Sequence, residues 1–328
     1  MTKICKIERQ SIEQAIAILN GGGVVAIPTE TVYGLGAIGT NSDAVKKIFE
    51  IKGRPSDNPL ICHVHKGYDI TKLVHINKDY VYHLLEKFTP GPLTMVFESK
   101  GVICQEAVCG GSTLAIRIPL HEGCQQLLRE LNQPVVAPSA NLSKHTSPVT
   151  AQHVFNDLDG KLELILDGGK CQGGIESTVL DVTSPTPRIL RAGLITKEMI
   201  EEVVGCCEIA KHVVGEKVIS PGVKYAHYRP KCETALFAKS QIDMAIALYK
   251  KSVLEGKIPY IMCDSQTRQS LSVENVLDLG KTDLEIASNL YDKLLEGEKK
   301  ADIIIAVEFD REDGVYLGIN NRLRKSCQ

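Results

Sequence analysis

Hydrophobic positions along this 328-residue chain recur with two periods, one helical and one of strands. Ile12, Ala15, Ile16 and Leu19 fall on one helical face, and Ser11 with Gln14 has the form of a capping box, so a helix is predicted there. Gly21-Gly22-Gly23 reads as its terminator and turn rather than as a phosphate loop. A second helix is predicted over 42–51. Short apolar runs at 24–27, 60–64, 93–97, 114–118, 135–137, 164–166, 178–182 and 188–191 read as strands. Helical patterns lie near 80–87, 124–131 and 150–158, with a closing helix at 196–204. This mixture predicts an α/β domain over 1–205 with a large, partly mixed sheet.

The texture changes at 206–232. The string SPGVKYAHYRPK carries prolines, cations and tyrosines and reads as an ordered linker. Beyond it, over 233–328, strands predicted at 234–238, 259–263, 276–279 and 302–307 alternate with helices at 241–254, 284–295 and 315–323. Thr282 and Glu285 form a capping box. That order predicts a small, parallel, Rossmann-like sheet. It lacks the G-x-G-x-x-G fingerprint, so no dinucleotide is assigned to it. The first domain is expected to have a core of its own and to fold without the second.

Composition narrows the classes. There are 38 basic and 40 acidic side chains, a formal charge of -2, and no tryptophan. A nucleic-acid arm driven by bulk charge is excluded, and no apolar run is long enough for a membrane span. The opening MTKICKIERQ has no apolar signal region behind its charges, so a cytoplasmic protein is expected. The 11 cysteines form no C-x-x-C pair and are expected as free thiols, with no metal site.

No P-loop, no G-x-S-x-G elbow and no zinc-protease motif is present. His63 and His65 would share a strand face, one facing a ligand and one packed. Polar residues instead gather where strands end: Lys52-Gly53-Arg54, Asn58-Pro59, Gly110-Gly111-Ser112-Thr113, Pro138-Ser139-Ala140-Asn141, Ser147, Glu176-Ser177 and Arg191. Arg117 stands mid-strand in LAIRIP, where an inward-facing guanidinium needs a carboxylate or an anionic ligand. Each piece has a bland reading as a turn, a solvated helix end or an edge residue. Together they supply cations, hydroxyls and backbone N–H groups without a nucleophile–base pair, which suits binding of a triphosphate and a carboxylate better than hydrolysis.

The string GGVVAIPTETVYGLGA at 22–37 resembles the opening of the YrdC-domain family, the threonylcarbamoyl-AMP synthases. The resemblance continues in order through KGRPSDNPL, PGPLT, LAIRIP, APSANLS, SPVTAQHV, GIESTV and ILRAGLIT, and the linker and tail resemble the family's long, two-domain form. It implies a YrdC-like twisted sheet with an open cationic cavity. It also implies a nucleotidyltransferase that makes L-threonylcarbamoyladenylate from L-threonine, bicarbonate or CO2, and ATP, with Mg²⁺ accompanying the ATP. The product would feed threonylcarbamoyl modification of tRNA through downstream machinery; whether the chain itself touches tRNA stays open. Carried over by motif, Thr31, His63, Thr113, Arg117 and Ser177 would bind threonine. Lys52, Arg54, Asn58, Ala137, Ser139, Asn141, Ser147, Arg191, Tyr225 and His227 would bind ATP, with Lys52 and Arg54 as the catalytic cations. The chain departs from the family at Thr89, Lys144-His145, Ala192 and KYAHYRP, which bears most on how the linker meets the nucleotide. The rivals are an RNA-binding module and the related carbamoyltransferase of hydrogenase maturation.

Overall fold

A computed structural model describes residues 1–210 and 228–327. Twelve strands among the described residues make one mixed sheet: β1 (Lys3–Lys6), β2 (Val25–Ile27), β3 (Gly34–Ile38), β4 (Ile61–His63), β5 (Val74–His75), β6 (Leu93–Ser99), β7 (Thr113–Arg117), β8 (Val135–Val136), β9 (Leu164–Asp167), β10 (Thr178–Asp181), β11 (Arg188–Arg191) and β12 (Glu208–Ile209). Their order is β1-β9-β2-β3-β8-β4-β7-β6-β10-β11-β12, with β5 paired to β6. The helices are α1 (Arg9–Asn20), α2 (Ser42–Lys52), α3 (Tyr80–Phe88), α4 (Gln105–Val108), α5 (Glu122–Leu131), α6 (Ala151–Leu158) and α7 (Lys197–Val204). One departure from expectation is at the start of α1. Glu8 is the cap and Ser11 lies three residues in, where its hydroxyl accepts from the Glu8 N–H at 2.9 Å, so Ser11 and Gln14 are not the capping pair.

The second part runs β13 (Glu233–Ala238), α8 (Ile242–Leu254), β14 (Pro259–Cys263), α9 (Ser265–Ser270), β15 (Val276–Asp278), α10 (Asp283–Gly297), β16 (Ile303–Glu308) and α11 (Gly314–Ser326). Its four strands are all parallel, in the order β13-β16-β14-β15, as the alternation predicts. Strand alternation sends Ile261, Ile303 and Ile305 to one face, under α8. Met262, Ile304 and Ala306 point to the other face, where α10 and α11 pack.

The first domain has apolar clusters of its own, one of them around Ile12, Leu127 and Leu164, but the largest core continues into the second domain. One continuous apolar cluster contains Leu35, Phe97 and Ile175 from the large domain together with Ile286, Leu290 and Ile319 from α10 and α11. Polar ties reinforce the junction, with Lys170 donating to Asn289 and pairing with Asp292 at 2.6 Å. The backbones also approach closely. Gly174 has φ 70, and a β-carbon there would lie 2.4 Å from both the Ala287 carbonyl oxygen and the Ser288 Cα. Gly174→Ala should therefore cost about 3 kcal/mol or more, through strain at positive φ plus a clash that only domain separation relieves. Urea unfolding tests this, and an unchanged midpoint would mean that the loop yields instead.

Candidate functional site

The register of the sheet builds the site. His63 on β4 lies opposite Arg117 on β7, and Arg117 lies opposite Thr94 on β6. β10 runs parallel to β6 and brings the preceding Ser177 alongside, where its hydroxyl meets that of Thr94 at 2.8 Å. Beside this polar row, on the same face, Ile61, Val96, Ala115 and Val179 form a small apolar cluster. The loop after β8 closes the side. Leu35 N–H donates to Pro138, Ala140 N–H donates to Tyr33, and Gly34 bridges to Ser139. The result is a cavity, partly open to solvent, with Arg54, His63, Arg117, Ser139, Asn141, Ser147, Ser177 and Arg191 in its wall. Eight residues singled out in the sequence thus meet in one place, and Ala137 joins them through its apolar side.

Lys52 does something different from reaching into the cavity. At 3 % exposure it stands under the loop and donates to the Ser139 and Asn141 carbonyls, each at 2.5 Å. Burial, and then the charge of Arg54, hold its pKa well below the usual lysine range. Arg54 follows from a left-handed cap at Gly53 and donates to the Asn58 carbonyl at 3.1 Å. Burial pushes its pKa down to about 10. Arg54 Nε, Asn141 Oδ1 and both polar side-chain atoms of the buried Asn58 have no hydrogen-bond partner among the described residues.

Arg117 is 4 % exposed, with Nη2 2.8 Å from Glu30 Oε1. That ion pair lacks hydrogen-bond alignment, and Nε and Nη2 have no hydrogen-bond partner among the described residues. His63 donates from Nδ1 to the Ile61 carbonyl at 3.0 Å. Burial, and then the charge of Arg117, bring its pKa down to about 3. The sign follows. Below pH ~6.5 an unfolded histidine binds a proton that the native one refuses, so stability falls as the medium turns acid. On going from pH 7 to pH 5, His63→Gln should lose about 2 kcal/mol less stability than the parent. Urea titrations at the two pH values decide it, and equal losses would mean that His63 is protonated in the native state.

Not every motif residue reaches the cavity. Thr31 is fully buried and shares a 3.0 Å hydrogen bond with Thr29, and it is Thr29 that lines the wall. Thr113 begins β7 opposite Glu98, four residues or about 13 Å from Arg117. It does not border the threonine pocket proposed from the motif. The Ala137 N–H is taken by the Ile61 carbonyl at 2.9 Å. Tyr225 and His227 lie outside the described residues.

Three wall residues were assigned no binding role from sequence. Tyr228 stacks on Tyr291 with centroids 5.1 Å apart, and its carbonyl accepts from Thr146. His145 lies 3.3 Å from Asp157. Glu176 accepts from Ser147 at 2.8 Å, Tyr291 at 2.9 Å and Arg322 at 3.2 Å. Burial alone would raise its pKa; Arg322, then Arg191 and the Ser147 hydroxyl, outweigh that and bring it to about 2. All eleven cysteines are free thiols, and no helix of the described residues is long and apolar enough to cross a membrane.

Known proteins share this arrangement. A family model described as "Telomere recombination" matches residues 17–193, and one described as "Threonylcarbamoyl-AMP synthase, C-terminal domain" matches 195–327. The threonylcarbamoyl-AMP synthase of Bacillus subtilis is 42% identical over 96% of this chain and 92% of its own. That of Pyrococcus abyssi is 38% identical over 98% and 95%. The crystal structure of P. abyssi Sua5 complexed with L-threonine superposes with a TM-score of 0.91 at 38% identity, covering 99% of this chain and 98% of that one.

Proposed function

From the premise that the chain belongs to the threonylcarbamoyl-AMP synthase family, we propose that its cavity joins L-threonine, bicarbonate or CO2, and ATP into L-threonylcarbamoyladenylate, releasing pyrophosphate. One observation carries the reading. Unpaired, buried donors and acceptors on Arg54, Arg117 and Asn141 converge on one cavity, although buried polar atoms are rarely left unsatisfied. Such atoms fit a ligand that brings both anions and hydrogen-bond partners. Family matches that run through both domains favour this over the RNA-binding module and the hydrogenase-type carbamoyltransferase.

The chemistry needs no protein nucleophile. The threonine nitrogen bonds to the carbon of CO2 and loses a proton, giving a carbamate. A carbamate oxygen then bonds to the α-phosphorus, and the bond from that phosphorus to the bridging oxygen of pyrophosphate breaks. The protein's task is to hold two anions together in line. Arg117 is the anchor for the threonine carboxylate, beside the neutral His63 and Ser177. Arg54 and Arg191 face the phosphates, and Ser139, Asn141 and Ser147 complete that wall. Lys52 keeps the 139–141 loop in place from beneath, so its role is to position that loop.

Among the described residues no group of three or more His, Cys, Asp or Glu side chains is placed to hold a metal ion. Mg²⁺ would therefore enter on the triphosphate, as octahedral Mg²⁺ commonly does, and would supply charge neutralisation there. The product is suited to a downstream transferase that moves the threonylcarbamoyl group to tRNA. The test is pyrophosphate release with threonine, bicarbonate and Mg-ATP, omitting each in turn. Release should require all three, and release that ignores threonine would defeat the assignment.

A further inference from the structure

Glu176 is an oddity in a cavity that must accept a polyanion: a buried carboxylate, 7 % exposed, set in the same wall as Arg54 and Arg191. A bare negative charge there would repel phosphate. Its partner comes from the other domain. Arg322, on α11, is 1 % exposed and reaches Glu176 with Nε at 3.2 Å, while its Nη1 donates to the Ala192 carbonyl at 2.5 Å. Tyr291, on α10, adds a hydrogen bond to the same carboxylate oxygen, which leaves the other oxygen to Ser147. Both residues of the second domain therefore act on a group that lines the site without lining it themselves.

We propose that Arg322 is a positioning residue for nucleotide binding: by neutralising Glu176 from behind, the second domain sets the charge of the phosphate-facing wall and fixes Ser147. This rests on the functional reading above. The other cations acting on Glu176 are Arg191 and, on α11, Lys325. Without Arg322 the carboxylate would draw on Arg191, a side chain that nucleotide phosphates need, and would stand against the phosphates with less compensation. Threonine binds at the Arg117 end of the cavity, which Arg191 reaches only through its bonds to Ser177, and should respond less than ATP.

The test is equilibrium binding on the full chain, with a fluorescent ATP analogue and, separately, with threonine. Arg322→Met should weaken ATP binding about tenfold or more, as expected for removal of a buried counter-charge, with threonine affinity within about twofold. Arg322→Lys should keep most of the affinity. The uncharged pair Glu176→Gln with Arg322→Met should return to within about threefold of the parent, because it removes the stranded charge. A merely structural role would lower the melting temperature without separating ATP from threonine or giving charge rescue. Unchanged ATP affinity in a folded Arg322→Met protein would overturn the proposal, as would a double variant no better than the single. If Arg322→Met does not fold, the double variant still decides: a folded double variant that has lost ATP binding overturns it. A parent protein that binds no nucleotide sinks the functional reading as well, and that outcome is distinct from nucleotide binding that ignores Arg322.

Discussion

Arg117→Ala will weaken threonine binding about 30-fold or more while ATP affinity stays within about threefold, as expected when a cavity loses its charge-assisted hydrogen bonds to a carboxylate. The guanidinium is buried and its Nε and Nη2 await hydrogen-bond partners, with Glu30 holding it only through a poorly aligned ion pair. The same substitution strands the Glu30 carboxylate, whose side chain is 9 % exposed, so stability should fall too. Adding Glu30→Gln separates the two effects. Stability should recover in the double variant, and threonine affinity should not. Calorimetric titration reads the affinity and urea unfolding the stability. Wild-type threonine affinity in Arg117→Ala would confine Arg117 to its pairing with Glu30.

A chain cut after Ala210 will not fold as an autonomous domain. It would expose the faces of Ile175 and Cys171 that share a core with α10 and α11. It would also leave Glu176 without Arg322 and Tyr291. Against a typical total of about 5–15 kcal/mol, the loss of that apolar packing together with these bonds is decisive. The expected result is a chain with no sharp thermal transition and a tendency to aggregate. A sharp transition within a few degrees of the full-length protein would refute it.

The residues that were legible in the sequence are those whose signal is local. The runs LILD at 164–167 and TALFA at 234–238 announce strands through their apolar content, and both are strands. β3 reads GLGAI; its two glycines lower strand propensity, so only the fold reveals it at the centre of the sheet. α9 is a single polar turn-and-a-half and gives no periodicity to detect. The site divides in the same way. His63, Arg117, Ser177 and Arg191 stand in motifs whose strand placement brings them together. Glu176 stood in plain view inside GIESTV, but its partners Tyr291 and Arg322 lie 115 and 146 positions away, a separation that no local pattern bridges. Thr31 and Thr29 differ by two positions in one loop, and only the folded loop shows which of them lines the cavity.

The pairing of His63 with Arg117 across β4 and β7 also has a meaning for folding fidelity. Side chains alternate along a strand, so a slip of β7 by one position would turn Arg117 to the opposite face. There it would displace Ile116 from the main apolar core. An arginine thrust into that core without a counter-ion costs several kcal/mol, enough to empty the slipped population. Arg117 thus proofreads the strand alignment that creates its own site, and a misaligned sheet would be purged by instability rather than persist as a sluggish enzyme.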